Sequence, residues 1–176
     1  MVVTGGVRCG KSRYAEATIR DAAGEASVTY ITPGYPPDPD VDPEWAARVA
    51  RHRLARPAHW ATVETVDVAA ALREHPGPVL VDCVGTWLTR HLDAVGWDSP
   101  RGEVAARLEH LTAELAQAVA DHPGPIVLVT NEVGWGLVSE HASGRLFADL
   151  LGRANQALGA VADEVVLMVA GRPLSL

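Results

Sequence analysis

A single lysine stands in this 176-residue chain, and it sits inside Gly5-Gly6-Val7-Arg8-Cys9-Gly10-Lys11-Ser12. The frame is G-x-x-x-x-G-K-[ST], which cradles phosphate only where a strand runs into it and a helix leaves it. Both flanks are present: Met1-Val2-Val3 is an apolar strand and Ser12–Asp21 a helix-like run. Glycines let successive backbone N–H groups turn toward one anion. The Lys11 ammonium, a compact point charge on a flexible stem, reaches β- and γ-phosphates where a planar guanidinium fits poorly. The Ser12 hydroxyl is placed to contact Mg²⁺. Only four residues precede Gly5. That is short for a central strand, so either the strand is short or the natural start lies upstream.

The rest of the chain alternates in a way that suits such a loop. Short β-branched runs at Val2–Thr4, Val28–Thr32, Pro78–Asp82, Pro125–Thr130 and Glu164–Val169 are apolar on both faces, the pattern of parallel strands covered on both sides. Helical runs lie between them at Lys11–Ala22, Pro43–Arg53, Val66–Glu74, Val84–Val95, Arg101–Asp121 and Gly144–Ala162. The alternation predicts an α/β fold with a mainly parallel β-sheet flanked by helices. Ligands of such sheets bind beyond the carboxyl ends of the strands. Attention therefore falls on Gly5–Ser12, Thr32–Gly34, Asp82–Thr86 and Asn131–Gly136. Asp42-Pro43-Glu44 reads as a helix start with Asp at the N-cap and Pro at N1. The near copies His75-Pro76-Gly77-Pro78 and His122-Pro123-Gly124-Pro125 read as helix-to-strand turns, not as paired histidine ligands.

Size and composition narrow the function. One domain spanning 1–176 is the simplest organisation, and 48% hydrophobic residues suffice for its core. The net charge of −7 argues against a nucleic-acid surface and requires local basic clusters to hold any nucleotide. No secretory segment and no apolar run of membrane-spanning length is present. Two cysteines, Cys9 and Cys83, fit a reduced, cytoplasmic compartment as free thiols. Cys9 is either a reactive thiol near a helix N-terminus or a small loop filler. No C-x-x-C or H-x-x-x-H pattern points to structural zinc.

A second constellation is Arg48-Val49-Ala50-Arg51-His52-Arg53-Leu54-Ala55-Arg56-Pro57-Ala58-His59-Trp60, followed by Thr62 and Glu64. Arg48 and His52 share a helix face. Adjacent positive charge lowers an imidazole pKa and keeps the ring neutral and nucleophilic, and arginines also bind phosphate. A neutral imidazole can carry a phosphoryl or nucleotidyl group covalently. The other reading of this segment is a solvated basic helix face. His59, after a proline turn, is the rival nucleophile; His91, His110 and His141 read as surface or capping residues.

Taken together, these segments resemble the bifunctional adenosylcobinamide kinase/adenosylcobinamide-phosphate guanylyltransferases of cobalamin (vitamin B12) biosynthesis. The matching pieces run in order over nearly the whole chain: Thr4–Glu16, Tyr30-Ile31-Thr32, Ala46–Val49 leading into His52, Arg56-Pro57 and Trp60, then Val81-Asp82-Cys83 with Trp87-Leu88-Thr89. Thr130-Asn131-Glu132-Val133-Gly134, Gly152-Arg153 with Asn155-Gln156, and Ala162–Val165 follow. The resemblance implies a P-loop NTPase (RecA-like) fold and two reactions. ATP or GTP phosphorylates the terminal hydroxyl of adenosylcobinamide; GTP then gives GMP to a histidine, and from there to adenosylcobinamide phosphate. It puts the guanylylated histidine at His52 and nucleotide contacts at Gly5, Gly6, Val7, Arg8, Cys9, Gly10, Lys11 and Ser12. Further contacts fall at Thr32, Pro33 and Gly34, at Arg53, Leu54, Ala55 and Arg56, and at Glu64 and Asp82. It also implies a homotrimer and a corrinoid substrate.

Asp82 and Glu132 each end an apolar strand; Asp82 is the first choice to support Mg²⁺ beside Ser12, and Glu132 the second. Glu64 has two open roles, a hydrogen-bond acceptor for guanine or ribose and an ion-pair partner for a nearby arginine. Trp97 and Trp135 are the tryptophans best placed to line a corrin-sized groove. The chain departs from the family pattern at Gly85 and Arg90, where Thr and Asn are expected, at Ser139, where proline is expected, and at Arg51, where a second histidine can occur. A plain phosphate-loop kinase without a covalent nucleotide, and a nucleotide-binding regulatory module, are the competing readings.

Overall fold

The computed structural model describes residues 1–176, Ala55 by its backbone alone. In it the predicted alternation becomes a seven-stranded sheet of order β3-β2-β4-β5-β1-β6-β7. The strands are β1 (Val2–Gly5), β2 (Thr29–Thr32), β3 (Ala61–Glu64), β4 (Val79–Asp82), β5 (Ile126–Val129), β6 (Val165–Val169) and β7 (Arg172–Ser175). All pair in parallel except β6 with β7. Despite its four residues β1 is central, paired with β5 on one side and β6 on the other. One strand, β5, separates the loop-bearing β1 from the acid-bearing β4.

Alternation along the strands sorts side chains to two faces. One face carries Val3, Tyr30, Leu80, Val127 and Val129 and is covered by α1 (Lys11–Ala23) through Ala15 and Ile19, with Trp60 alongside. The other carries Val2, Ile31, Val79, Val81 and Leu128. It is covered by α3 (Val68–Glu74), α4 (Val84–Val95), α5 (Arg101–Ala120) and α6 (Ala142–Val161). Each fully buried aliphatic side chain contributes roughly 1.5–3 kcal/mol. That packing holds α1, whose N-cap Gly10 makes no side-chain cap. The stripe Lys11, Ala15, Ile19 is its buried face, so the lysine stem leaves the helix toward the protein.

Helix α2 (Pro43–Ala55) starts as predicted: Asp42 caps it by accepting a hydrogen bond from the Trp45 N–H at 2.9 Å, and Pro43 occupies the first turn. None of its described side chains is buried. It lies across the carboxyl ends of the strands, where its inner residues line cavities. The two His-Pro-Gly-Pro segments are helix-to-strand turns at the opposite end and pack on each other. The His122 ring meets the Gly77 carbonyl at 2.9 Å, and a Cβ on Gly124 would stand 2.7 Å from the Pro76 carbonyl.

Three sequence expectations need correction. The sheet extends beyond the apolar runs by two edge strands, β3 and β7, neither of which is an apolar run: β3 has no buried residue and all of β7 is exposed. The C-terminal edge is therefore antiparallel. Helix α3 begins at Val68, two residues later than predicted, because Asp67 caps it through a bond from the Ala70 N–H. His91 is half-buried with its ring against Trp87, centroids 4.9 Å apart, and is no surface residue.

Candidate active site

The loop between β1 and α1 closes on its own lysine. Lys11 is 7% exposed, and its Nζ donates to the carbonyls of Gly5 at 2.9 Å and Gly6 at 2.7 Å, with Cys9 Sγ at 3.7 Å. Gly10 is left-handed, and so is Arg8 at φ 56°. The loop is propped by the β6–β7 turn, where the Gly171 N–H donates to the Cys9 carbonyl. Gly5 has φ 144°, and a Cβ there would come within 2.5 Å of the Met168 carbonyl. On the far side Thr4 Oγ1 donates to Glu132 Oε1 at 2.9 Å, Asn155 Nδ2 donates to the same oxygen at 3.2 Å, and the Glu132 N–H donates to the Gly5 carbonyl. Glu132 thus braces the loop from beneath; Asn131 beside it lines the cleft above.

That cleft holds about 600 Å³. The loop from Val7 to Arg13 forms one wall, Arg48, Arg51 and His52 of α2 the other, and Asp82 and Cys83 part of its floor. The two constellations read from sequence, more than 40 positions apart at Lys11 and His52, therefore face one space. His52 also lines a narrower chamber of about 50 Å³ with Tyr30, Thr32, Trp45, Arg53, Arg56, Glu64 and Asp82.

Register explains why Asp82 sits here. Tyr30 pairs with Leu80 across β2 and β4, so Tyr30 and Asp82 project from the same face, two residues offset. The Tyr30 hydroxyl donates to Asp82 Oδ2 at 2.8 Å, and the Arg56 guanidinium lies over the Tyr30 ring, 3.3 Å from its centroid. Burial and the Asp82 charge push the Tyr30 phenol pKa far up, so it is a fixed donor. Burial, then Asp82, also raises the Glu16 carboxyl. The His52 pKa is lowered as expected, but the first cause is burial; Arg48, Arg56 and Arg51 add to it and Asp82 opposes it. A ring so placed is neutral at physiological pH, with one nitrogen lone pair free to attack.

Other anticipated residues divide. Glu64 forms an ion pair with Arg53, the second of its two open roles. Gly34 and Trp45 line a third cavity, beyond the chamber, while Pro33 is buried. Leu54 is 87% exposed and lines none of these cavities; His59 is exposed as well, its carbonyl accepting from Ser27. Ser12 lines the cleft with the loop. Both cysteines are free thiols. Trp97 packs on the core and donates to Asp93, and Trp135 is exposed; the tryptophan that lines the cavities is Trp45, which sequence reasoning passed over. Tyr30 and Trp45 sit at positions whose only sequence signal was their place in or beside matched segments. Among the described residues no cluster of three or more His, Cys, Asp or Glu is arranged to hold a metal by itself, and no helix is long and apolar enough to cross a bilayer.

Comparison with known proteins decides the family. The family model described as cobinamide kinase / cobinamide phosphate guanyltransferase matches residues 1–176. The chain belongs to that family. Among its curated relatives is the bifunctional adenosylcobalamin biosynthesis protein CobU of Escherichia coli, 41% identical over 180 residues covering 97% of this chain and 96% of the relative. CobU of Salmonella typhimurium is 40% identical over 185 residues, with the same coverage. The bifunctional adenosylcobalamin biosynthesis protein CobP of Pseudomonas aeruginosa is 35% identical over 179 residues, covering 99% of this chain and 95% of the relative. Cobinamide kinase/guanyltransferase membership spans the phosphate loop, α2 and the strand ends alike, so the cleft between them lies wholly within the family match.

Proposed function

We propose that one domain carries both activities for which the family is named. It phosphorylates the terminal hydroxyl of adenosylcobinamide with ATP or GTP, then transfers GMP from GTP to adenosylcobinamide phosphate through a guanylylated His52. The observation that carries this reading is that a neutral, half-buried imidazole and the phosphate loop line the same cleft.

In the kinase step the substrate hydroxyl oxygen bonds to the γ-phosphorus as the bridging β,γ P–O bond breaks. The electron pair leaves on the nucleoside diphosphate and the hydroxyl proton is released. Phosphoryl transfer asks chiefly for positioning and charge neutralisation. The amides of Gly6–Ser12 and the Lys11 ammonium supply these once phosphate oxygens replace the Gly5 and Gly6 carbonyls as its partners. In the second reaction a His52 ring nitrogen bonds to the α-phosphorus of GTP while the α,β-bridging P–O bond breaks and pyrophosphate departs. An oxygen of the corrinoid phosphate then attacks the same phosphorus, and the N–P electron pair returns to the ring. Arg48 and Arg51 face the phosphates from α2; Thr32, Arg53 and Arg56 of the chamber beside His52 hold the nucleoside, with Glu64 fixing Arg53.

The donor set suits Mg²⁺, which takes one or two protein oxygens together with substrate phosphates. The Ser12 hydroxyl and the Asp82 oxygen not bonded by Tyr30 are the groups that would hold it, and it would neutralise charge on the phosphates. We further assign the protein to the cytoplasm, on its free thiols, and to a homotrimer, for which the exposed Trp135, Leu137 and Val138 offer an apolar surface of the kind subunits cover. Nucleic acid has no place among its partners.

GTP labelled at the α-phosphorus tests the reading. Incubation should leave acid-labile, base-stable label on the wild type and none on His52→Ala. Label retained in that variant moves the carrier elsewhere, and an unlabelled wild type that still phosphorylates cobinamide leaves a plain kinase.

A further inference from the structure

Beyond the His52 chamber lies a cavity of about 470 Å³, lined chiefly by apolar surface from Tyr35, Pro36, Val41 and Trp45, with Thr86 and Thr89 opposite. We infer that it receives the edge of the corrin macrocycle of the acceptor, with the hydroxyl-bearing arm laid along α2 toward His52; this rests on the function proposed above.

Five observations carry it. The cavity is continuous with the reaction site, since Trp45 and Thr86 line both it and the chamber that holds His52. Trp45 and His52 are two turns apart on one face of α2, about 10 Å along the axis, a distance of the order of an extended aminopropanol-amide arm.

The chemistry of the walls differs on the two sides of Trp45. The nucleoside-side groups are arginines, Glu64 and Thr32. The far side is apolar, with Asp38, Asp42 and Arg90 as its charged residues; the Arg90 guanidinium is engaged by the Gly34 carbonyl and the Tyr35 ring, which leaves the two carboxylates facing the ligand. Carboxylates repel a polyphosphate and accept hydrogen bonds from primary amides. A flat macrocycle with apolar faces, a fringe of amides and no negative charge matches this side better than a polyphosphate does.

The cavity is also built rather than accidental. Arg90 Nη1 donates to the Gly34 carbonyl at 3.0 Å and its guanidinium stands 4.2 Å from the Tyr35 ring centroid. The Tyr35 hydroxyl donates to Asp93 and the Trp45 indole donates to the Tyr35 carbonyl, both at 2.9 Å. Arg90, where the family pattern leads one to expect Asn, is thus the clasp of the proline-rich loop. Finally, Val41 is 80% exposed and Tyr35 is half exposed, an apolar wall covered by nothing in the isolated chain.

Binding of adenosylcobinamide to the full-length protein, followed by ultrafiltration and the visible absorbance of the corrin, tests this. Val41→Asp and Pro36→Glu, both in exposed loop positions, should each weaken binding about tenfold or more, because a charge placed against the macrocycle loses its water. Val41→Leu should stay within about twofold of wild type. Wild-type affinity in both charged variants overturns the assignment while leaving the function standing. A raised half-saturation for GTP labelling, with corrinoid binding intact, gives the cavity to the nucleoside and overturns it too. A wild type that binds no corrinoid and takes no label from GTP sinks the proposed function, and the cavity assignment with it.

Discussion

At the scale of the residue, the proposed guanylyl transfer requires His52 to be neutral, and the cause of that state is testable by charge. Burial comes first, so the lowered pKa does not depend on any one neighbour, yet Arg48 is the largest of the three guanidinium contributions. Labelling by GTP needs the unprotonated ring, so its rate should fall as pH drops through the His52 pKa, with a midpoint below the ordinary 6.5. Arg48→Gln removes a positive charge that opposes protonation. The pKa then rises and the acid midpoint moves up. The reading is the midpoint and not the absolute rate, since Arg48 also lines the cleft proposed to hold the phosphates. A midpoint that stays put or moves down would show that the arginine does not set the ring's charge.

At the scale of the element, the phosphate loop is held by shape as much as by its lysine. Gly5 shows it: a side chain there is strained by φ 144° and meets both the Met168 carbonyl and, at 2.9 Å, the Cys9 sulfur. Gly5→Ala must push β1 from β6 or open the loop, at a cost of about 1–3 kcal/mol. The urea midpoint should fall, and GTP labelling should drop with it; an unchanged midpoint would mean the loop adapts freely. This loop was legible in the sequence because the residues of its phosphate-binding frame are consecutive, as was the Asp42–Pro43 start of α2; its props, Gly171 and Glu132, were not. The strands β1, β2, β4, β5 and β6 were legible because their burial demands apolar runs. Edge strands are stabilised by ladder hydrogen bonds without burial, so Ala61–Glu64 and Arg172–Ser175 left no such trace. Nor did the meeting of Tyr30, Asp82 and His52. It depends on β2 lying beside β4 in one register and on α2 crossing their ends, which no local pattern encodes. Resemblance supplied the residue numbers there, and the geometry supplies the reason.

At the scale of the whole molecule, the carboxyl ends of the strands line the candidate site, the face under α3 to α6 carries most of the packing, and His91 reports on the second. It lies on α4 with its ring against that of Trp87, half-buried. Burial lowers its pKa first, with Arg107 and Arg90 adding to that, while Asp67 and a hydrogen bond involving the Val66 backbone act the other way. The folded ring therefore takes up a proton at lower pH than the unfolded one. Above pH 6.5 both are neutral and His91 adds no pH dependence. As pH falls below 6.5 the unfolded chain binds the proton first, so folding stability declines, and the decline ends only below the depressed folded value. His52, also lowered, has the same sign in the same window, so the comparison must separate them. In thermal melts between pH 7.5 and 5, His91→Phe should show a shallower loss of Tm on acidification than wild type. His52→Ala should shallow it independently, and the double variant should add the two effects, as expected of sites that share no partner. An acid slope untouched by His91→Phe would mean that the ring escapes its pocket to take the proton, and that the α4 face is looser than its packing implies.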